Sequence, residues 1–125
     1  MSARTPRPDD SDRLRRFKAE FFKALAHPVR IAILEYLRGG PRSVGEIQTM
    51  TRVPGSSISQ QLAVLRSRGI VAPEREGTTI RYHVADLEIY ALLDAARRIF
   101  YDHLSDSADL LRLVEAEAEE VAISS

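Results

Sequence analysis

Ser56, Ser59 and Gln60 fall at i, i+3 and i+4 in the run SSISQQLAVLRSRGIV, so on a helix they form one strip. All three are uncharged and able both to donate and to accept hydrogen bonds. Base edges in the major groove present donors and acceptors side by side, and a helix lying there needs a strip of this kind. Ile58, Leu62 and Leu65, at i, i+4 and i+7, make the opposite strip apolar and seat the helix on a core. The chemistry indicated is recognition, not catalysis. The chain has no Gly-rich phosphate loop, no nucleophile with a partnered base and no metal-hydrolase spacing.

The elements around this strip are those needed to present it. Upstream, Ser43 and Glu46 have capping-box spacing, which starts a short helix. Pro54-Gly55 stops that helix and turns the chain into the next, expected to begin near Ser56. Downstream, IVAPEREGTTIRYHV holds two extended runs around Glu76-Gly77-Thr78-Thr79, the pattern of a β-hairpin with a basic rim. Ile80, Tyr82 and Val84 are expected to face the core, with Arg81 and His83 pointing outward. Helix, break, helix and hairpin together predict a winged helix-turn-helix.

Residues 1–11, with Pro6, Pro8 and Asp9-Asp10, read as a disordered arm, and residues 12–125 as a single domain. From about Asp12 the pattern is helical, with Leu14, Phe17, Phe21, Phe22 and Leu25 on one face. Ala26-His27-Pro28 breaks that helix, and Pro28 suits the first turn of the next, which carries Ile31, Leu34 and Leu37 and ends at Gly39-Gly40-Pro41. Asp86 opens a long helix with Ile89, Leu92, Leu93, Ala96, Ile99 and Phe100 on a broad apolar face. A last helix, from about Asp106 to Ala122, offers Leu110, Leu111, Leu113 and Val114 for docking. A small core cannot cover both the Phe17/Phe21/Phe22 face and the long helix. Mutual cover within one chain is one solution; a symmetric homodimer is the preferred one, and two-fold symmetry is what a palindromic operator requires.

Net charge is zero, but it is segregated. Residues 1–81 carry 15 Lys and Arg against 8 Asp and Glu, whereas residues 82–125 carry 3 against 10. The basic part contains the helix-turn-helix and hairpin, which fits a phosphate-facing surface. There is no cysteine, so disulfides, thiolate metal sites and thiol switching are excluded. No apolar run is long enough to span a bilayer, and the polar N-terminus lacks the apolar core of a signal peptide; the expected location is cytoplasmic.

Taken together, ALAHPVRIAILEYL, SSISQQLAVLRSRGIV and REGTTIRYHV resemble the ArsR/SmtB family of small dimeric bacterial winged-helix repressors, over about Phe17 to Leu104. The resemblance implies a mainly α (α+β) fold of five or six helices with one β-hairpin wing, dimerised through the first and the long C-terminal helices. It also implies repression by occupancy of a double-stranded DNA operator, released by a signal. Carried over by position, the reading helix places Ser56, Ser59 and Gln60 in the groove. Ser57 and Gln61 flank them within reach of phosphates, and the wing residues Arg75 and Arg81 meet backbone or minor groove. Pro54 and Gly55 depart from the Ser and Gln common there, so base preference is left open.

Family sites for metals fit poorly. The thiolate site would need cysteines at Gln48 and Met50. The interhelical site would draw on Asp86, Glu88, Ile99 and Asp102, with His103 displaced; Ile99 removes the central imidazole. Asp86 as a helix cap and His103 at a helix C-terminus account for both residues without a metal. His27 reads as a structural residue at a helix junction. The expectation is therefore a DNA-binding regulator with no metal and no cofactor. Its effector stays open among a small organic molecule, a protein antagonist and none. The alternatives are a metal-responsive repressor using the interhelical carboxylates and His103, or a protein-interaction module using the acidic half.

Overall fold

The computed structural model describes residues 8–104 and 108–124. Helix α1 (Pro8–Leu25) is followed by α2 (Pro28–Leu37), β1 (Arg42–Ser43), α3 (Val44–Thr51) and α4 (Gly55–Ser67). The hairpin β2 (Val71–Glu76) and β3 (Thr79–Val84) comes next, then α5 (Glu88–Leu104) and α6 (Ala108–Ser124). The fold is a winged helix-turn-helix of six helices and one antiparallel sheet of order β1-β3-β2.

Residues 8–11 correct the expected arm: they form the first turn of α1, which begins at Pro8 and not near Asp12. Proline is at home in the first helical turn, and Asp9 and Asp10 favour the positive end of the helix dipole. The rest of the expected arm, residues 1–7, lies outside the described residues.

The core is built by Ile33, Leu34 and Leu37 of α2, Ile47 of α3 and Ile58, Leu62 and Leu65 of α4, closed by Ile70 and Val71. Helix starts are secured locally. His27 caps α2 by accepting the Val29 N–H on Nδ1 at 3.1 Å, with Pro28 at the first helical position. Ser43 and Glu46 form the expected capping box, with bonds of 3.2 and 3.3 Å. The hairpin turns at Gly77, whose φ of 64° suits glycine.

Two helices leave apolar surface uncovered within one protomer. On α1, Ala24 and Leu25 are buried and Phe21 packs against the core, but Leu14, Phe17 and Phe22 are exposed, Phe17 by 70%. On α5, Ile89 and Tyr90 are buried, whereas Ile99, Phe100 and Tyr101 are exposed. The two faces thus do not cover each other in one chain. Of the residues expected to dock α6, Leu113 is exposed and Val114 is half-buried. The side chains of Leu110 and Leu111 lie outside the described residues. No described helix is long and apolar enough to cross a membrane.

Candidate nucleic-acid interface

The turn between α3 and α4 is built from the backbone outward. Arg52 adopts the left-handed conformation (φ 61°) and its N–H closes on the Gln48 carbonyl at 2.8 Å, ending α3. The Thr51 hydroxyl donates to the Ile47 carbonyl at 2.8 Å and accepts the Val53 N–H at 3.2 Å, which stiffens the bend. Pro54 then supplies the N-cap position of α4. Gly55 permits close approach: a Cβ there would stand 2.7 Å from Oε1 of Gln48.

On α4, Ile58, Leu62 and Leu65 are fully buried while Ser56, Ser59 and Gln60 are exposed on the outer face. Geometry thus brings the three proposed base-reading residues together. Ser57 is half-buried beside them. Gln61 has a different setting. Its Oε1 accepts from Nε of Arg30 at 2.8 Å, and Nη1 of the same guanidinium donates to the Ala24 carbonyl at 3.0 Å. The Gln61 carbonyl oxygen is occupied inside the protein, tying the reading helix to the end of α1.

The two wing arginines sit on opposite faces of the hairpin. Antiparallel pairing sets Arg75 opposite Ile80 and Arg81 opposite Glu74, and directly opposed residues share a face. Arg75 is exposed, with no ion-pair or hydrogen-bond partner among the described residues. Arg81 is half-buried between carboxylates: Nη1 lies 3.6 Å from Glu46 and Nε 3.1 Å from Glu76, the latter without hydrogen-bond alignment. The Ser43 N–H, with smaller help from Arg81, holds the Glu46 carboxyl below the usual carboxylate range. His83, on the Arg81 face as expected, lies 3.5 Å from Glu74. Ile80 departs from expectation: it shares the core-side face with Val84 and Tyr82 but is 44% exposed, because the wing tip extends past the core.

One cation missed by the sequence reading belongs to this surface. Arg52, at the turn leading into α4, is exposed and has no partner among the described residues. The available signal was a basic residue next to a Pro-Gly break.

Asp86 accepts the Glu88 N–H at 2.9 Å, the cap expected of it, and Ile99 points outward. Among the described residues no three His, Asp or Glu side chains are grouped as a metal site.

Comparison with known proteins agrees with this geometry. Residues 27–72 match the sequence profile described as "Bacterial regulatory protein, arsR family". The chain is 44% identical over 108 residues to the HTH-type transcriptional regulator Rv0081 of Mycobacterium tuberculosis, spanning 86% of this chain and 95% of that protein. The crystal structure of Rv0081 superposes with a TM-score of 0.70 at 45% identity, covering 81% of this chain and 97% of that one. The homodimeric winged helix-turn-helix DNA-binding domain of Mb0332 from Mycobacterium bovis, described as a possible ArsR-family regulator, gives a TM-score of 0.70 at 32% identity, with coverages of 83% and 94%. The transcriptional repressor BigR from Xylella fastidiosa gives 0.62 at 32% identity, with coverages of 78% and 96%.

Proposed function

The chain belongs to the ArsR family of bacterial regulatory proteins, and from that premise we propose that it acts as a homodimeric repressor that reads a palindromic operator with α4. One observation carries the reading. Ser56, Ser59 and Gln60 stand exposed together on a helix whose opposite strip is buried in the core, so the polar strip is rigidly presented. Arg75 and Arg52, both without partners among the described residues, supply phosphate contacts. Arg81 contributes a positive charge already balanced by Glu46 and Glu76, and Ser57 lies at the edge of the strip. Gln61 holds α4 in place through Arg30.

The exposed Leu14, Phe17 and Phe22 of α1 and Ile99, Phe100 and Tyr101 of α5 form the proposed dimer surface. Two copies joined there present two reading helices, one to each half-site, about one helical turn of DNA apart. Such a repressor acts on DNA in the cytoplasm.

Fluorescence anisotropy with DNA from upstream of the protein's own gene tests this, first in EDTA and then with Zn²⁺ or Ni²⁺. Tight, salt-sensitive binding that metal leaves unchanged is the expected result. Absence of DNA binding overturns the repressor reading and favours a protein-interaction role for the acidic half. Release by metal, lost in an Asp86→Ala/Asp102→Ala double variant, assigns the signal to the interhelical carboxylates.

A further inference from the structure

Between α2, α5 and α6 lies a cavity of about 450 Å³, within the range of small-molecule sites. Its walls are mostly apolar, with Leu25 from α1, Leu93 from α5 and Val114 from α6, and with Phe22 and Phe100, which also belong to the proposed dimer surface. Three acids interrupt them: Asp94 of α5, paired with Arg38, and Glu35 from α2 and Glu117 from α6, which act on each other across the cavity wall. Of the cations that line it, Arg38 is committed to Asp94 by two bonds of 2.7 Å, so Arg97 alone among them is left to act on the acids.

The lining selects a ligand class. An anion would meet Glu35, Glu117 and Asp94. A bare metal ion would find only two carboxylates outside the Arg38–Asp94 pair, too few oxygens for a hard cation. A neutral apolar molecule would leave the acid pair unmatched. An organic cation satisfies both the apolar walls and the carboxylates.

We propose that this cavity is an effector site for a small organic amine, its hydrocarbon body against Leu25 and Leu93 and its ammonium group between the Glu35 and Glu117 carboxylates. The inference rests on the repressor reading above. Occupancy there is coupled to DNA binding by position. Glu35 belongs to the helix whose Ile33, Leu34 and Leu37 form the core beneath α3 and α4, whereas the rest of the site comes largely from α1, α5 and α6, and Leu25 and Tyr90 belong both to its lining and to that core. Tyr90 and Arg38 already join the two parts: the Tyr90 hydroxyl donates to the Leu34 carbonyl at 2.7 Å, and Arg38 lies 5.0 Å from the centre of the Tyr90 ring.

Entry of the ammonium replaces the proton that Glu35 otherwise retains. Burial, then Glu117, with a smaller push from Glu120, raises the Glu35 carboxyl to about 7, and Arg97 opposes them. The proton is released to solvent and no covalent bond changes. Arg38, Asp94 and Tyr90 also line the cavity, but Arg38 and Asp94 neutralise each other.

The test uses the full chain and para-tert-butylbenzylamine, with its alcohol and carboxylate counterparts as controls. Calorimetry should show the amine binding about tenfold tighter at pH 8 than at pH 6, because the proton must leave first. The alcohol should bind more weakly and the carboxylate not at all. Glu35→Gln should abolish amine binding and its pH dependence; Glu117→Gln, at an exposed position, serves the same purpose should the first variant fold poorly. Operator affinity, measured first without amine, should fall roughly fivefold or more when it is added, the small end of allosteric couplings. If operator binding is absent from the start, the repressor reading fails, and the inference with it. Given normal operator binding, any of four results overturns the inference alone: no amine binding, equal binding of the alcohol, full amine binding by both Gln variants, or amine binding without effect on operator affinity.

Discussion

Gln61 on the reading helix and Arg30 on α2 are joined by a 2.8 Å hydrogen bond between residues 31 positions apart, and the same guanidinium also bonds the Ala24 carbonyl. One side chain thus ties α4 and the end of α1 to α2. Arg30→Met leaves three acceptors, Gln61 Oε1 and the Lys23 and Ala24 carbonyls, without their donor and is expected to cost about 1–3 kcal/mol in urea denaturation, and Gln61→Ala about 0.5–1.5 kcal/mol. The double variant should lose less than the sum, since both remove the same bond. Unchanged stability in Gln61→Ala, together with a uniform loss of DNA affinity, would return Gln61 to the phosphate-contacting set.

Gln60 is exposed and has no internal partner among the described residues, so its loss should be felt by DNA alone. Gln60→Ala should leave the melting temperature nearly unchanged. Its expected cost is about 1–3 kcal/mol of operator affinity, with relaxed preference at one base pair per half-site. Anisotropy against a panel of single-base operator variants reads this directly.

On the wing, Arg75 has no partner among the described residues and Arg81 is held between Glu46 and Glu76. Arg75→Ala should lower the slope of log affinity against log salt by about 0.9 for each protomer, about 1.8 for the dimer. Glu76→Gln should strengthen binding to all sequences, by removing a negative charge and releasing Arg81. A salt titration of both variants on operator and non-operator DNA separates the effects.

Phe17 and Phe100 are exposed apolar residues on the two helices assigned to the dimer. A charge at either should be tolerated by the monomer fold and rejected by the interface. Phe17→Glu and Phe100→Glu are expected to sediment as monomers at micromolar concentration, with native helical content and much weakened operator binding.

Glu35 makes stability depend on pH in an unusual direction for a carboxylate. Its ordinary value is 4.5 and the fold raises it to about 7, chiefly by burial. Between these values the folded chain keeps a proton that the unfolded chain has lost, so stability falls as pH rises through the window and levels off above it. Glu35→Gln should flatten this slope and raise the melting temperature at pH 8. A thermal-denaturation series from pH 4 to pH 8 checks both.

The parts of this molecule that local patterns specify were legible before any coordinates. The Ser43/Glu46 capping box, the Gly77 turn and the buried strip of α4 each depend on residues a few positions apart. Partners set by long-range packing were not legible. Spacing placed Gln61 beside the reading strip, but only the packing of α2 on α4 brings Arg30 to it. Arg81 looked like Arg75 in the sequence; strand register separates them by face and gives one of them carboxylate partners. Pro8-Asp9-Asp10 carries two signals, polar arm and helix start, and the helix start prevailed. On α6, several apolar residues in a row left the inward phase open; of the expected Leu113 and Val114, Val114 is half-buried and Leu113 is exposed.

Ser43 belongs at once to the edge strand and to the reading motif: it pairs with Arg81 of β3 and its hydroxyl starts α3. The wing and the helix-turn-helix therefore share a root, and Arg81 reaching Glu46 closes a second link a turn further on. A hinge between them has no place to sit. In the proposed dimer each protomer would then meet its half-site as a caliper with fixed jaws, and the adjustable dimension would be the distance between the two calipers. Operators with altered half-site spacing, not altered half-site shape, are where a change at the dimer helices will be felt.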